Sequence, residues 1–242
     1  MILTCDKCGH QIGIDNIGEE VLNPNVFVVR RHTERSSWDY IANEIRNGTA
    51  YRAVSVGDEI PFRLTDGEEV SVVSVHENPY WKNSMAFVLK DCLKDPHNMN
   101  DRNTNAGGYA ATKMWEYLTT NVFRRLPTEL ATLIKPRQIE QRFANGSVYK
   151  VESLIWNPSY IEVVANPDED SSLYLMDFGD VHFDYFSDAK SRVKNLGASA
   201  NGWWLRSAYN GSSFCGVNNA GGGSDDYSNA NGANGVVFGF II

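Results

Sequence analysis

The spacing of apolar positions changes along the chain and predicts a series of short elements. In "SSWDYIANEIRNG", Trp38, Ile41 and Ile45 recur at helical spacing, with Ser36 placed as N-cap, Asp39 three residues on and Gly48 closing the run. "EIPFRL", the turn "TDGEE", the imperfectly alternating "VSVVSVH" (Val70, Val72, Val75) and the apolar run "MAFVLKDCL" predict an antiparallel meander. A polar loop, "NDRNTNAGGY", feeds a second helix in which Met114, Leu118 and Val122 lie four apart. Pro127 stops that helix, and "PTELATLIKP" is a further short one ended by Pro136. "VFVVRR", "RQIEQRFA", "VYKVESLIW", "YIEVVA" and "LYLMDF" read as strands, and "SDAKSRVKNLG" as a helical turn or two. No internal repeat is present. The fold class is α+β: short antiparallel strands with two principal helices.

The C-terminal stretch departs from these patterns. It begins "GWWLRSA", ends "GVVFGFII", and between them consists almost wholly of Asn, Gly, Ser, Ala, Asp and Tyr. From Ser207 onward there is no Lys, Glu, Gln, Met or Trp, although all five occur throughout the rest of the chain. A disordered linker would share this composition, but an apolar anchor following it would then have no purpose.

Composition narrows the function classes. The 242 residues are 42% hydrophobic, enough for a sizeable core. With a net charge of −8 and no basic cluster denser than "VVRRHTER", a surface that tracks phosphates is disfavoured and no nucleic-acid partner is expected. No apolar run reaches bilayer length and "MILTCDKCGH" lacks a signal-peptide core, so the expectation is a protein made in the cytoplasm that reaches a virion or cell surface, if at all, by assembly. Of the four cysteines, Cys92 and Cys215 are isolated, which is not a secreted disulfide framework.

Several segments occur together in a recognisable order: "YRAVSVGDEIPFRLTDGEEVSVVSVHENPYW", "MAFVLKDCL", "NTNAGGYAATKMWEYL", "LPTELATLIKP" and "GWWLRSA…GVVFGF". In this the chain resembles, over roughly residues 50–242, a family of bacterial and phage domains with a C-type lectin-like fold, which includes the variable proteins of diversity-generating retroelements. Members usually close on Gly-Val-Arg-Pro-Ala-Phe; here Val237 and Phe238 replace Arg-Pro between Gly235, Val236 and the final Phe240. In such systems a reverse transcriptase copies a template with errors at adenines, so Asn codons scatter to residues such as Ser, Gly, Asp, Tyr and Ala but never to Lys, Glu, Gln, Met or Trp. The residues after Ser207 obey that restriction.

The first stretch, 1–25, reads as a small separate element, and the resemblance implies a C-type lectin-like domain over the remaining 26–242 with a variable region at about 207–235. It implies that Trp203, Trp204, Leu205, Val236 and Phe240 are buried anchors, with Phe214 and Val217 facing inward. Ligand contacts would then come from Tyr209, Asn210, Ser212, Ser213, Asn218, Asn219, Asp225, Asp226, Tyr227, Asn229, Asn231 and Asn234. Tyr, Ser, Gly and Asn are also the usual residues of antibody paratopes. The partner would be a surface ligand whose identity the sequence does not fix; an oligomer is compatible with this reading, and no cofactor or calcium is required.

Other motifs are weighed against ordinary readings. Cys5, Cys8 and His10 in "CDKCGH" are candidate zinc ligands, but tetrahedral zinc needs a fourth, from His32 or another subunit, and an exposed N-terminal turn is the alternative. Asp168, Glu169 and Asp170 lack calcium-loop spacing and read as a solvated acidic loop. His76, His97 and His182 stand beside no nucleophile motif, and Gly-x-Ser-x-Gly, P-loop and His-Glu-x-x-His patterns are missing, so no catalysis is expected. An oxidase of the formylglycine-generating group, which shares this fold, is the enzyme alternative; it depends on paired cysteines, whereas Cys215 stands alone in the last third. A binding or assembly module of the same fold that is not diversified is the other.

Overall fold

The computed structural model describes residues 2–4, 11–13, 37–164, 176–209 and 212–242, of which 2–4, 11–13 and 224–228 are described by backbone alone. The chain divides into two compact units, Met1–Thr33 and Glu34–Ile242. In the first, β1 (Ile2–Thr4) pairs antiparallel with β2 (Gln11–Gly13). Cys5, Cys8, His10, His32, "VFVVRR" and the acidic loop at 168–170 all lie outside the described residues.

In the larger unit, helix α1 (Trp38–Arg46) is capped by Ser37, whose hydroxyl accepts from the Tyr40 N–H at 3.3 Å, one residue later than the sequence pattern places the cap. Trp38 packs edge-on against Phe62, Phe87 and Phe240, at centroid distances of 5.9, 5.7 and 6.0 Å. These rings belong to a sheet in which β3 (Glu59–Arg63), β4 (Glu69–Glu77) and β5 (Met85–Leu89) form the expected antiparallel meander. The last strand, β15 (Gly239–Ile241), completes this sheet by pairing with β5, giving the order β15–β5–β4–β3. The C-terminus is thereby tied into the core.

The second principal helix, α2 (Lys113–Tyr117), starts on Thr112, whose hydroxyl accepts from Trp115 N–H at 3.0 Å. It widens to π hydrogen bonding over Leu118–Val122 and tightens to a 3₁₀ turn at Phe123–Arg125. A short α3 (Thr128–Ala131) follows Pro127. The hairpin of β7 (Arg137–Arg142) and β8 (Val148–Ser153) turns at Gly146, whose φ of 86° suits a residue without a Cβ.

The "YIEVVA" segment is not a strand. Tyr160–Val163 forms helix α4, because Ser159 and Glu162 make a reciprocal capping box that alternation of apolar residues does not reveal. Within "LYLMDF" the described part, from Met176, is a helical turn rather than a strand. "SDAKSRVKNLG" splits into α5 (Ala189–Arg192), capped by Asp188, and β9 (Lys194–Leu196), which pairs with β10 (Ser199–Asn201). The remaining strands, β11 (Trp203–Tyr209), β12 (Ser213–Val217) and β13 (Gly223–Asn229), form an antiparallel three-stranded sheet. Beside it β14 (Ala233–Asn234) pairs with β6 (His97–Asn98). Mixed α+β architecture with mostly short antiparallel strands is therefore what the sequence pattern leads to.

Candidate functional site

The C-terminal region is fastened at both ends. Trp203, Trp204 and Leu205 are buried, and each indole N–H is satisfied: Trp203 Nε1 donates to Arg192 O at 3.0 Å and Trp204 Nε1 to His97 O at 2.7 Å. At the far end Val236, Val237, Phe238 and Phe240 are buried, with Phe240 stacked on Phe87 at 5.3 Å. Val237 and Phe238, the departures from Arg-Pro, are thus core residues. The two ends also meet: Trp204 N–H donates to Gly235 O at 3.1 Å and Gly235 N–H to Gly202 O at 3.0 Å. A Cβ at Gly235 would run into Cys92 Sγ and the Gly202 carbonyl, so only glycine permits this approach.

Between the anchors the sheet carries two register shifts, at Trp204/Ala208 and Phe214/Gly216. Phe214, Cys215 and Val217 point inward and are buried. Of the twelve sequence-predicted contacts, Asn218, Asn219, Asn229 and Asn231 are exposed, and Tyr209, Ser212 and Asn234 are half-buried. Ser213 departs from the expectation. It is 6% exposed, paired with both Tyr209 and Asn229, and its carbonyl accepts from the buried Asn105 amide. Asn218 has a second role, its Oδ1 accepting from Ala220 and Gly222 N–H at 2.9 and 3.0 Å to close its own turn. Asp225, Asp226 and Tyr227 lie on the β13 backbone, and their side chains, like Asn210, fall outside the described residues.

The means by which this region is held could not be read from the sequence. Residues outside it grip its main chain. Asn105 Nδ2 donates to the carbonyls of Tyr209 (3.1 Å) and Ser213 (3.0 Å), while Asn103 Oδ1 accepts from Ala230 N–H at 3.0 Å. Arg192 Nε donates to Gly221 O at 2.8 Å, and β6 supplies a ladder to β14. One side-chain contact joins this set: Asn103 Nδ2 donates to Asn229 Oδ1 at 3.1 Å.

Beneath β11 lies a buried ionic cluster that no sequence motif signalled. Arg206 and Arg137 each bridge the same two carboxylates, Glu162 and Asp180. Arg206 Nη1 reaches Glu162 Oε2 at 2.6 Å and Asn157 O at 3.1 Å, and the Arg137 guanidinium carbon sits 3.7 Å from the Tyr80 ring centre. Burial alone would raise the Glu162 pKa, but the charges of Arg137 and Arg206 outweigh it and hold it at about 2. Asp177 is the carboxylate left without its own cation. Ser207 Oγ donates to its Oδ2, its Oδ1 has no partner, and burial followed by the charge of Asp180 pushes it up to about 7. These residues come from segments far apart in the chain, so their convergence had no local signal. Fully enclosed and charge-balanced, the ring of four supports β11 rather than meeting a ligand.

Among the described residues no group of three or more His, Cys, Asp or Glu is arranged to hold a metal. His76 pairs with Asp184 at 3.0 Å, and His97 stacks on Tyr117 at 4.5 Å, each within the framework. No helix among the described residues is long and apolar enough to cross a membrane.

Comparison with known proteins places the chain in one family: residues 83–241 match the family described as Domain of unknown function (DUF6273), and the chain belongs to it. No curated protein and no solved structure matches.

Proposed function

We propose that this member of the DUF6273 family is a non-catalytic display protein of C-type lectin-like fold, the variable protein of a diversity-generating retroelement, which presents the surface around β12, β13 and their turns to a ligand. The observation that carries this reading is the main-chain grip. Asn105, Asn103 and Arg192 hold carbonyl and N–H groups of residues 209, 213, 221 and 230, main-chain atoms that do not depend on the side chain except that proline lacks the N–H and position 221 needs glycine. Side chains at Asn219 and Asn231 can then change while the backbone stays in place. The composition of the region, rich in Asn, Ser, Gly, Asp and Tyr, supports the same reading.

The coding DNA provides the direct test. Diversification requires a near-copy of the last stretch of the gene close by, differing mainly at adenines, with a reverse transcriptase gene alongside. A genome lacking both would overturn diversification and leave a fixed binding module. A library randomised at 219 and 231 provides the second test: most members should fold with the parent's stability. Loss of folding in most members would remove the physical basis for display.

A further inference from the structure

A second site lies away from the display surface. The helix face carrying Trp115, Thr119 and Phe123 meets Pro136 and the end of β8 to line a half-open groove of about 360 Å³, near the lower end of the ~300–1,000 Å³ range of small-molecule sites. None of its lining residues belongs to the 207–235 region.

Three features suit it to one class of ligand. First, its lining is mainly apolar and its aromatic wall is set in place. Trp115 Nε1 donates to Ser153 Oγ at 3.2 Å, and Ser153 Oγ in turn donates to Ile155 O at 2.7 Å, so the indole is oriented and its polar atom satisfied. Second, the groove is built on the π turn. Phe123 N–H reaches back to Leu118 O, and the Thr119 and Thr120 hydroxyls bond the Trp115 and Glu116 carbonyls at 2.8 and 2.6 Å. Single π turns inside helices recur where they shape a site.

Third, the lining contains one charged group, the exposed Glu152 carboxylate, and no basic one. On the same ribbon Glu140 is held by Arg142 at 2.6 Å and Lys150 at 2.7 Å, whereas Glu152 faces the neutral Gln138 across the ladder. The groove therefore offers aromatic and aliphatic walls with one uncompensated negative charge at its rim.

We propose that the Trp115–Phe123–Glu152 groove binds a small organic cation, an ammonium group carried on an aromatic body, with Glu152 as counter-ion and the rings receiving the apolar part. This stands independently of the display reading, since it uses none of the same residues.

The test is a titration of the ¹⁵N-labelled full chain with phenethylammonium and, separately, with 2-phenylethanol, which keeps the ring and removes the charge. The indole N–H signal of Trp115 is assigned by its disappearance in Trp115→Phe. The expected result is a saturable shift of that signal with the amine and about tenfold weaker binding of the alcohol. Glu152→Gln, a substitution at an exposed position that should leave the fold intact, should weaken the amine about tenfold, equivalent to ~1.4 kcal/mol. Equal binding of amine and alcohol, unchanged affinity in Glu152→Gln, or a shift that does not saturate would each overturn the assignment. Tighter binding of an unstructured lysine-rich peptide than of the amine would overturn the small-ligand class.

Discussion

The inner half of β11 and the surface that follows it are adjacent in sequence and held by opposite means. At Trp203, Trp204 and Arg206 the side chains do the holding: two indoles fill the core and a guanidinium closes a buried ring of charge. From Ser212 to Asn234, apart from the inward-facing Phe214, Cys215, Val217 and Ala230, the backbone is what is held, by Asn103, Asn105, Arg192 and the β6 ladder. Where side chains carry the structure, residue identity is constrained by volume and charge. Where the main chain carries it, identity is open as long as φ and ψ are allowed. The contrast separates fixed from changeable positions by physics alone.

The sharpest way to break it is at Arg206. Arg206→Ala leaves Glu162 and Asp180 buried with one cation between them, and should cost ~3–5 kcal/mol in urea unfolding. Arg206→Lys should recover only part of this, because an ammonium cannot bridge both carboxylates as the planar fork does. A loss under about 1 kcal/mol for the alanine variant would mean that the cluster does not brace the strand.

Asn105→Ala should come next, at ~1–3 kcal/mol, since the carbonyls of Tyr209 and Ser213 lose a shared donor. Hydrogen exchange should rise in β12 and β13 ahead of the β3–β5 meander. Uniform loosening of both sheets would show that Asn105 has no special hold on β12 and β13.

A third effect is a pH dependence from Asp177. Its folded pKa, about 7, lies above the ordinary 3.8, so between those values the folded state binds a proton that the unfolded state has released. Stability contributed by this group is therefore present at low pH and lost as pH rises toward 7, with a slope of at most about 1.4 kcal/mol per pH unit. Glu162, held at about 2, acts oppositely, but only below its ordinary 4.5. His182, pulled down by burial, gains stability as pH rises through its own range up to 6.5. Subtracting the Asp177→Asn profile from the parent's isolates the falling limb. Identical slopes between pH 4.5 and 7 would remove Asp177 from the account.

The smallest effect should lie on the surface itself. Asn219→Tyr, Asn219→Asp and Asn231→Ser should each stay within ~0.5 kcal/mol of the parent in thermal unfolding. Ser213→Tyr, at the one predicted contact that is buried among the described side chains, should not.

How much was legible follows from the range of each interaction. Period alone located α1, because Trp38, Ile41 and Ile45 share one face, and the β3–β5 meander, because its strands are joined by short turns. It failed at Tyr160–Val163, where a short, mainly apolar segment reads as a weak strand while the local bonds of Ser159 and Glu162 make a helix. It also failed where β15 crosses the whole chain to pair with β5.

The sequence by itself determined the α+β class, the two apolar anchors and the peculiar composition between them. These are local properties, set by the period and chemistry of neighbouring residues. Only the tertiary structure decided that Arg137, Glu162, Asp180 and Arg206 would meet, that Asn103 and Asn105 would reach the main chain of residues more than a hundred positions away, and that Ser213 would be covered while Asn219 stayed open. Pairings at that separation depend on where whole elements pack, and residue order does not encode them in any local pattern.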